Sequence, residues 1–86
     1  SNDFVEAKKV IEEVYNAHPL VLKTPAPTVR VSEHADSSID LTAKMWVKNG
    51  DYWDVKFDML EQILKAFEEK KIEIPYNQLD VHVKND

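Results

Sequence analysis

Ile39-Asp40-Leu41-Thr42-Ala43-Lys44-Met45-Trp46-Val47-Lys48, followed by Asn49-Gly50-Asp51-Tyr52-Trp53, decides the class of fold. Ile39, Leu41, Ala43, Met45 and Val47 take every second position, and polar residues with Trp46 take the others. Side chains along a strand point to alternate faces, so this run is a strand with one face on a core. If that face is fully buried, each larger side chain contributes about 1.5–3 kcal/mol, which makes the strand a main source of stability. After Asn49-Gly50 the period changes to that of a helix, so the corner does not close a hairpin. Trp53, Phe57, Leu60, Ile63, Leu64 and Phe67 form its apolar stripe and are expected to be buried. Asp51 is the expected cap, and Asp54 and Asp58 suit the positive end of the helix dipole.

Towards the N-terminus, Thr28-Val29-Arg30-Val31-Ser32-Glu33 alternates in the same way and reads as a short strand. A polar turn, His34-Ala35-Asp36-Ser37, joins it to the long strand, so antiparallel pairing is expected. Residues 20–27 form a connector stiffened by Pro19, Pro25 and Pro27, with Leu20, Val21 and Leu22 expected against the end of a preceding helix. That helix opens on a capping box of Asp3 and Glu6. It buries Ala7, Val10, Ile11 and Val14, with Phe4 and Tyr15 at the margins, and stops at His18-Pro19 because a residue before proline leaves the α region.

Towards the C-terminus, residues 72–77 leave the second helix in extended form. Leu79, Val81 and Val83 then alternate with Asp80, His82 and Lys84 as a last strand. The order is helix, strand, strand, helix, strand, an α+β chain. One strand in front would complete β-α-β-β-α-β, so the fold class is a ferredoxin-like sandwich lacking its first strand. Ser1-Asn2 reads as a tag remnant, 3–77 as the domain, and 78–86 as a terminal strand and tail. An open edge exposes the isolated chain to non-native pairing.

Eighty-six residues make one small domain that buries about 60–65% of its unfolded surface. A net charge of −5, from 16 acidic and 11 basic residues with Arg30 the only arginine, opposes nucleic-acid binding. The absence of cysteine rules out disulfides and thiolate metal sites. No apolar run approaches the roughly 18 residues of a membrane span, and no secretory signal is visible. His18, His34 and His82 lack metal-ligand spacing, so no metal or cofactor is expected. Asp36-Ser37-Ser38 is a turn composition rather than a nucleophile with its acid. Nothing in the chain argues for an enzyme. Trp46, out of phase with the core, has two readings: a ring lying along the stems of Lys44 and Lys48, or a contact with another domain or subunit.

Four segments, in order, resemble the C-terminal cytoplasmic domain of the small-conductance mechanosensitive channel family. They are Val21 with Leu22 through Pro25-Ala26-Pro27 to Val31; Ala35-Asp36-Ser37-Ser38 through Leu41; Trp46-Val47-Lys48 with Asp51-Tyr52-Trp53-Asp54-Val55; and Ile72-Glu73-Ile74-Pro75-Tyr76 with Gln78 through Val83. Asn77 stands where family members usually carry a second proline. The resemblance implies one wall segment of a cytoplasmic vestibule in a homo-heptamer at the cell membrane, opened by tension to release solutes in hypo-osmotic shock. It implies membrane attachment through upstream helices and a terminal strand that joins six copies in a parallel barrel. Leu79, Val81, His82, Val83 and Trp46 are then the expected oligomer contacts. The alternative is a free-standing ferredoxin-like domain that binds a protein or small ligand. An acylphosphatase-like hydrolase needs a phosphate-binding loop, and Arg30 sits mid-strand without one.

Overall fold

The computed structural model describes residues 2–33, 35–36, 39–73 and 78–84. Its elements are α1 (Asn2–Ala17), β1 (Thr28–Glu33), β2 (Ile39–Lys48), α2 (Tyr52–Glu69) and β3 (Gln78–Lys84). The chain is α+β in the expected order. Parts of the expected turn after β1 (His34, Ser37, Ser38), residues 74–77 of the exit from α2, Ser1, and the tail Asn85-Asp86 lie outside the described residues.

α1 begins at Asn2, so Asp3 stands inside its first turn rather than ahead of it, and it ends one residue before His18-Pro19. Ala7, Val10, Ile11 and Tyr15 are buried and Val14 packs at the edge of the core. Val21 from the connector is buried with them, and the Leu22 N–H donates to the Trp46 carbonyl at 2.9 Å, tying the connector to β2.

β1 pairs antiparallel with β2, placing Val29 beside Ala43 and Val31 beside Leu41. β3 pairs parallel with the other edge of β2, placing Leu79 beside Ala43, Met45 beside Val81 and Val47 beside Val83. The sheet order is β1-β2-β3. In a split βαβ unit another strand separates the two parallel ones; here β2, α2 and β3 form an unsplit unit. The last strand lies directly on β2, whose peptide groups would otherwise lack partners on that side.

α2 departs from expectation twice. Asp51 precedes it but makes no side-chain capping bond. The corner is held through the backbone instead, with Asp51 N–H to the Lys48 carbonyl and Val55 N–H to the Asp51 carbonyl, both 3.0 Å. Gly50 has φ +99°, a conformation that favours glycine. The larger correction concerns the apolar stripe. Val55, Met59, Ile63 and Phe67 are the buried residues of α2, whereas Trp53, Phe57, Leu60 and Leu64 are 61, 63, 41 and 50% exposed.

Layer widths explain this. Two helices side by side span about 20 Å, whereas three strands about 4.8 Å apart offer only about 14 Å of floor. α1 lies over β1 and β2, and α2 over β2 and β3. Around the α2 axis, Asp58 and the Trp53–Leu64 stripe lie on opposite flanks of the buried face. Asp58 faces α1, where it meets His18. The stripe therefore overhangs the outer edge of β3, with no strand beneath it.

Candidate interaction surfaces

The five residues expected at an oligomer contact divide between the two faces of the sheet. Trp46 and His82 are register partners on the face without helices, their rings 4.8 Å apart and tilted by 31°. Lys44 Nζ lies 5.6 Å from the Trp46 ring centre, within reach of a cation–π interaction. Trp46 is half-buried by these neighbours, so within the chain the ring has its own packing partners. Leu79 and Val81 face the helices and pack at the edge of the core, and Val83 beside them is also half-buried. The structure thus brings Trp46 and His82 together and separates them from Leu79, Val81 and Val83.

The surface that period alone misassigned is the flank of α2. Trp53 stacks on Phe57 at 5.8 Å and meets Tyr52 edge-on at 4.9 Å. Lys56 donates to the Tyr52 hydroxyl at 3.3 Å and lies 5.4 and 5.5 Å from the Tyr52 and Trp53 ring centres. Lys56 thus links the two neighbouring rings of the cluster. Leu60 and Leu64 continue the stripe for two further turns.

At the opposite edge, a groove of about 620 Å³ runs between α1 and the free side of β1. Lys8, Glu12 and Tyr15 line one wall, and Pro27, Val29 and Val31 are among the residues of the other. Burial, with the Glu12 carboxylate adding to it, raises the Tyr15 hydroxyl above its ordinary value of 10.0. Between the helices, buried His18 accepts the Leu20 N–H on Nδ1 at 3.1 Å, leaving Nε2 to donate to Asp58 Oδ2 at 3.0 Å. That pairing is a structural clamp. Among the described residues no group of three His, Cys, Asp or Glu side chains could hold a metal ion, and no helix is long and apolar enough to cross a membrane.

The profile of a known family, "Mechanosensitive ion channel MscS, C-terminal", matches residues 1–74. The chain belongs to the MscS family. It is similar to the small-conductance mechanosensitive channel of Edwardsiella ictaluri, 35% identical over 81 residues, covering 94% of this chain and 28% of that protein. An MscS family protein of Archaeoglobus fulgidus is 33% identical over 86 residues, all of this chain and 30% of the relative. The small-conductance mechanosensitive channel of Helicobacter pylori is 28% identical over 85 residues, 98% of this chain and 31% of the relative. This MscS chain thus spans less than a third of these relatives' length. No solved structure matches it.

Proposed function

We propose that this MscS domain is a wall segment of the cytoplasmic vestibule of a tension-gated channel that releases solutes on hypo-osmotic shock. Its role is structural: it assembles with copies of itself, as a homo-heptamer by the family resemblance, and carries no catalysis. Membrane attachment and tension sensing belong to the remaining two thirds of the protein. The observation that carries this reading is the family match along residues 1–74, joined to relatives named as mechanosensitive channels. In the intact ring, the terminal strand with Leu79, Val81, His82 and Val83 would leave β2 for a parallel barrel of copies, which closes every strand edge.

The test is expression of the intact protein in bacteria stripped of their own mechanosensitive channels. Survival of a sudden osmotic downshift and tension-activated current in membrane patches are expected. A correctly inserted protein that gives neither would overturn the channel reading. Removing residues 79–86 from the intact protein is expected to weaken assembly or recovery from inactivation, and unchanged assembly and gating would count against the barrel.

A further inference from the structure

His18 stands one residue beyond α1, and both nitrogens of its ring are in use. Nδ1 accepts the Leu20 N–H at 3.1 Å, and Nε2 donates to Asp58 Oδ2 at 3.0 Å. Only a neutral ring with its proton on Nε2 can make both bonds. An imidazolium carries a proton on each nitrogen and accepts at neither. The ring is also buried, with 5% of its side chain exposed against 52% for Asp58. One bond therefore needs a bare Nδ1, and the other survives protonation.

The two bonds answer a proton in opposite ways. A proton taken from solvent onto Nδ1 sets one N–H against another, that of Leu20, and two facing donors repel. The bond is lost and the groups must part. On the other side of the ring, Nε2 and Asp58 become a full ion pair, and hydrogen bonds between charged groups are the stronger kind. The proton thus moves the ring's hold from the connector to α2. What it frees is short. Val21 is buried, and the Leu22 N–H is tied to the Trp46 carbonyl at 2.9 Å, so the opening is confined to the turn of Pro19 and Leu20. Leu20 lies at the surface, 36% exposed, and can move without opening the core.

The charges around the ring allow this change. Asp54, Glu61 and Lys65 lie on the same side of α2 as Asp58. From α1 the nearest titratable residue is Tyr15, whose carbonyl accepts the His18 N–H at 3.3 Å. The connector carries no charge before Lys23, and β2 has Lys44 and Lys48 on its helix-free face. Burial opposes a charge on the ring, and the carboxylates of α2 offset it.

We propose that His18 is a pH-operated latch. Neutral, it holds the turn at Leu20 to the end of α1; protonated, it releases that turn and grips Asp58. Histidine is the side chain that ordinarily changes charge between about pH 5 and 8, so mild acid is enough to work such a latch. Every group in it belongs to this chain, and the inference does not rest on the channel reading. In a vestibule wall it would couple the joint between helices and sheet to acidification of the surrounding solution.

Nuclear magnetic resonance of the chain between about pH 8 and 5 tests the latch. The His18 ring nitrogens report the proton, followed apart from those of His34 and His82, and amide exchange reports each backbone bond. At the alkaline end the ring is expected to be neutral with Nδ1 bare, and the Leu20 amide protected. As the ring gains its proton, Leu20 should lose about tenfold of its protection, the factor that one hydrogen bond supplies, after correction for the pH dependence of exchange itself. Leu22 should keep its own. Asp58→Asn retains an acceptor oxygen and removes the charge, so the loss at Leu20 should then need a more acid solution. In His18→Gln, which has no ring to titrate, Leu20 protection should stay level over the same range. A ring that stays neutral throughout, or a Leu20 amide that stays protected beside a protonated ring, would overturn the latch. So would the same loss in His18→Gln, because its cause would lie elsewhere. An unchanged midpoint in Asp58→Asn would overturn the transfer of hold to α2.

Discussion

His18 joins three parts of the chain through two hydrogen bonds: the end of α1, the Leu20 backbone and Asp58 on α2. The imidazole is buried whereas the carboxylate is half in water, so the two partners should not weigh equally. His18→Ala leaves the Leu20 N–H without its acceptor and opens space at the helix junction, and is expected to cost about 2 kcal/mol. Asp58→Ala removes only the wetter partner and should cost about 0.5–1 kcal/mol; urea unfolding of both variants checks the order. Tyr15 makes a prediction of a different kind. Its folded-state hydroxyl titrates above the ordinary value of 10.0 because burial and Glu12 disfavour the phenolate. Below pH 10 both folded and unfolded chains hold the proton, and the shift has no effect. As pH rises past 10 the unfolded chain loses the proton first, so stability falls until the folded phenol also ionises. The urea midpoint is therefore expected to drop more between about pH 9 and 11 for the unmodified chain than for Tyr15→Phe. Equal drops would mean that other groups govern the alkaline limit.

Elements differ in how far their residues announce them. β1 and β2 alternate along their length, so their bounds and the buried set Leu41, Ala43, Met45 and Val47 follow from period two, and the short connection between them gives their antiparallel direction. α2 carries two apolar stripes about a third of a turn apart. One holds the aromatics Trp53 and Phe57, the other Val55 and Met59, and Ile63 and Phe67 fall where either pattern is satisfied. Size favours the aromatic stripe, and the width of the sheet beneath decides for the other, a quantity that no window of sequence contains. The termini of α2 are clearer in the backbone than in the side chains. At its end, the Lys71 N–H donates to the Glu68 carbonyl at 3.2 Å and the Ile72 N–H to the Phe67 carbonyl at 2.9 Å, the pattern of a Schellman motif. Lys71 holds φ +56° there, a conformation costing an L residue about 1–2 kcal/mol. Lys71→Gly should relieve that cost, less its extra chain entropy, for a net gain of about 0.5 kcal/mol. Gly50→Ala at the other corner meets open space but places a side chain at φ +99°, and should lose about 1–2 kcal/mol. Thermal melts of the pair should therefore move in opposite directions.

At the scale of the whole molecule, the place of β3 decides where the domain ends. Read from sequence, the boundary falls after residue 77, and the predicted contact set combines Trp46 and His82 with the alternate residues Leu79, Val81 and Val83. Alternation identified both faces of that strand without saying what each would meet, which depends on the other strand and on the helix above. In the fold, His82 stacks on Trp46 on one face while Leu79 and Val81 extend the core on the other. β3 also pairs along one edge of β2, from Thr42 opposite Gln78 to Lys48 opposite Lys84. A chain cut after residue 77 would keep two helices on a two-stranded sheet, with β2 bare along that edge and more of α2 without floor. Two strands are marginal even with a good apolar face, and a chain of this size has little stability in reserve. The truncated chain is therefore expected to lose cooperative urea unfolding and near-ultraviolet circular dichroism, with Trp46 fluorescence moved towards that of a solvated ring. The opposite result, a cooperative transition close to that of the full chain, would make 3–77 a domain in its own right and β3 a strand free to join other copies. That outcome would strengthen the barrel proposed for the terminal strand in the intact ring.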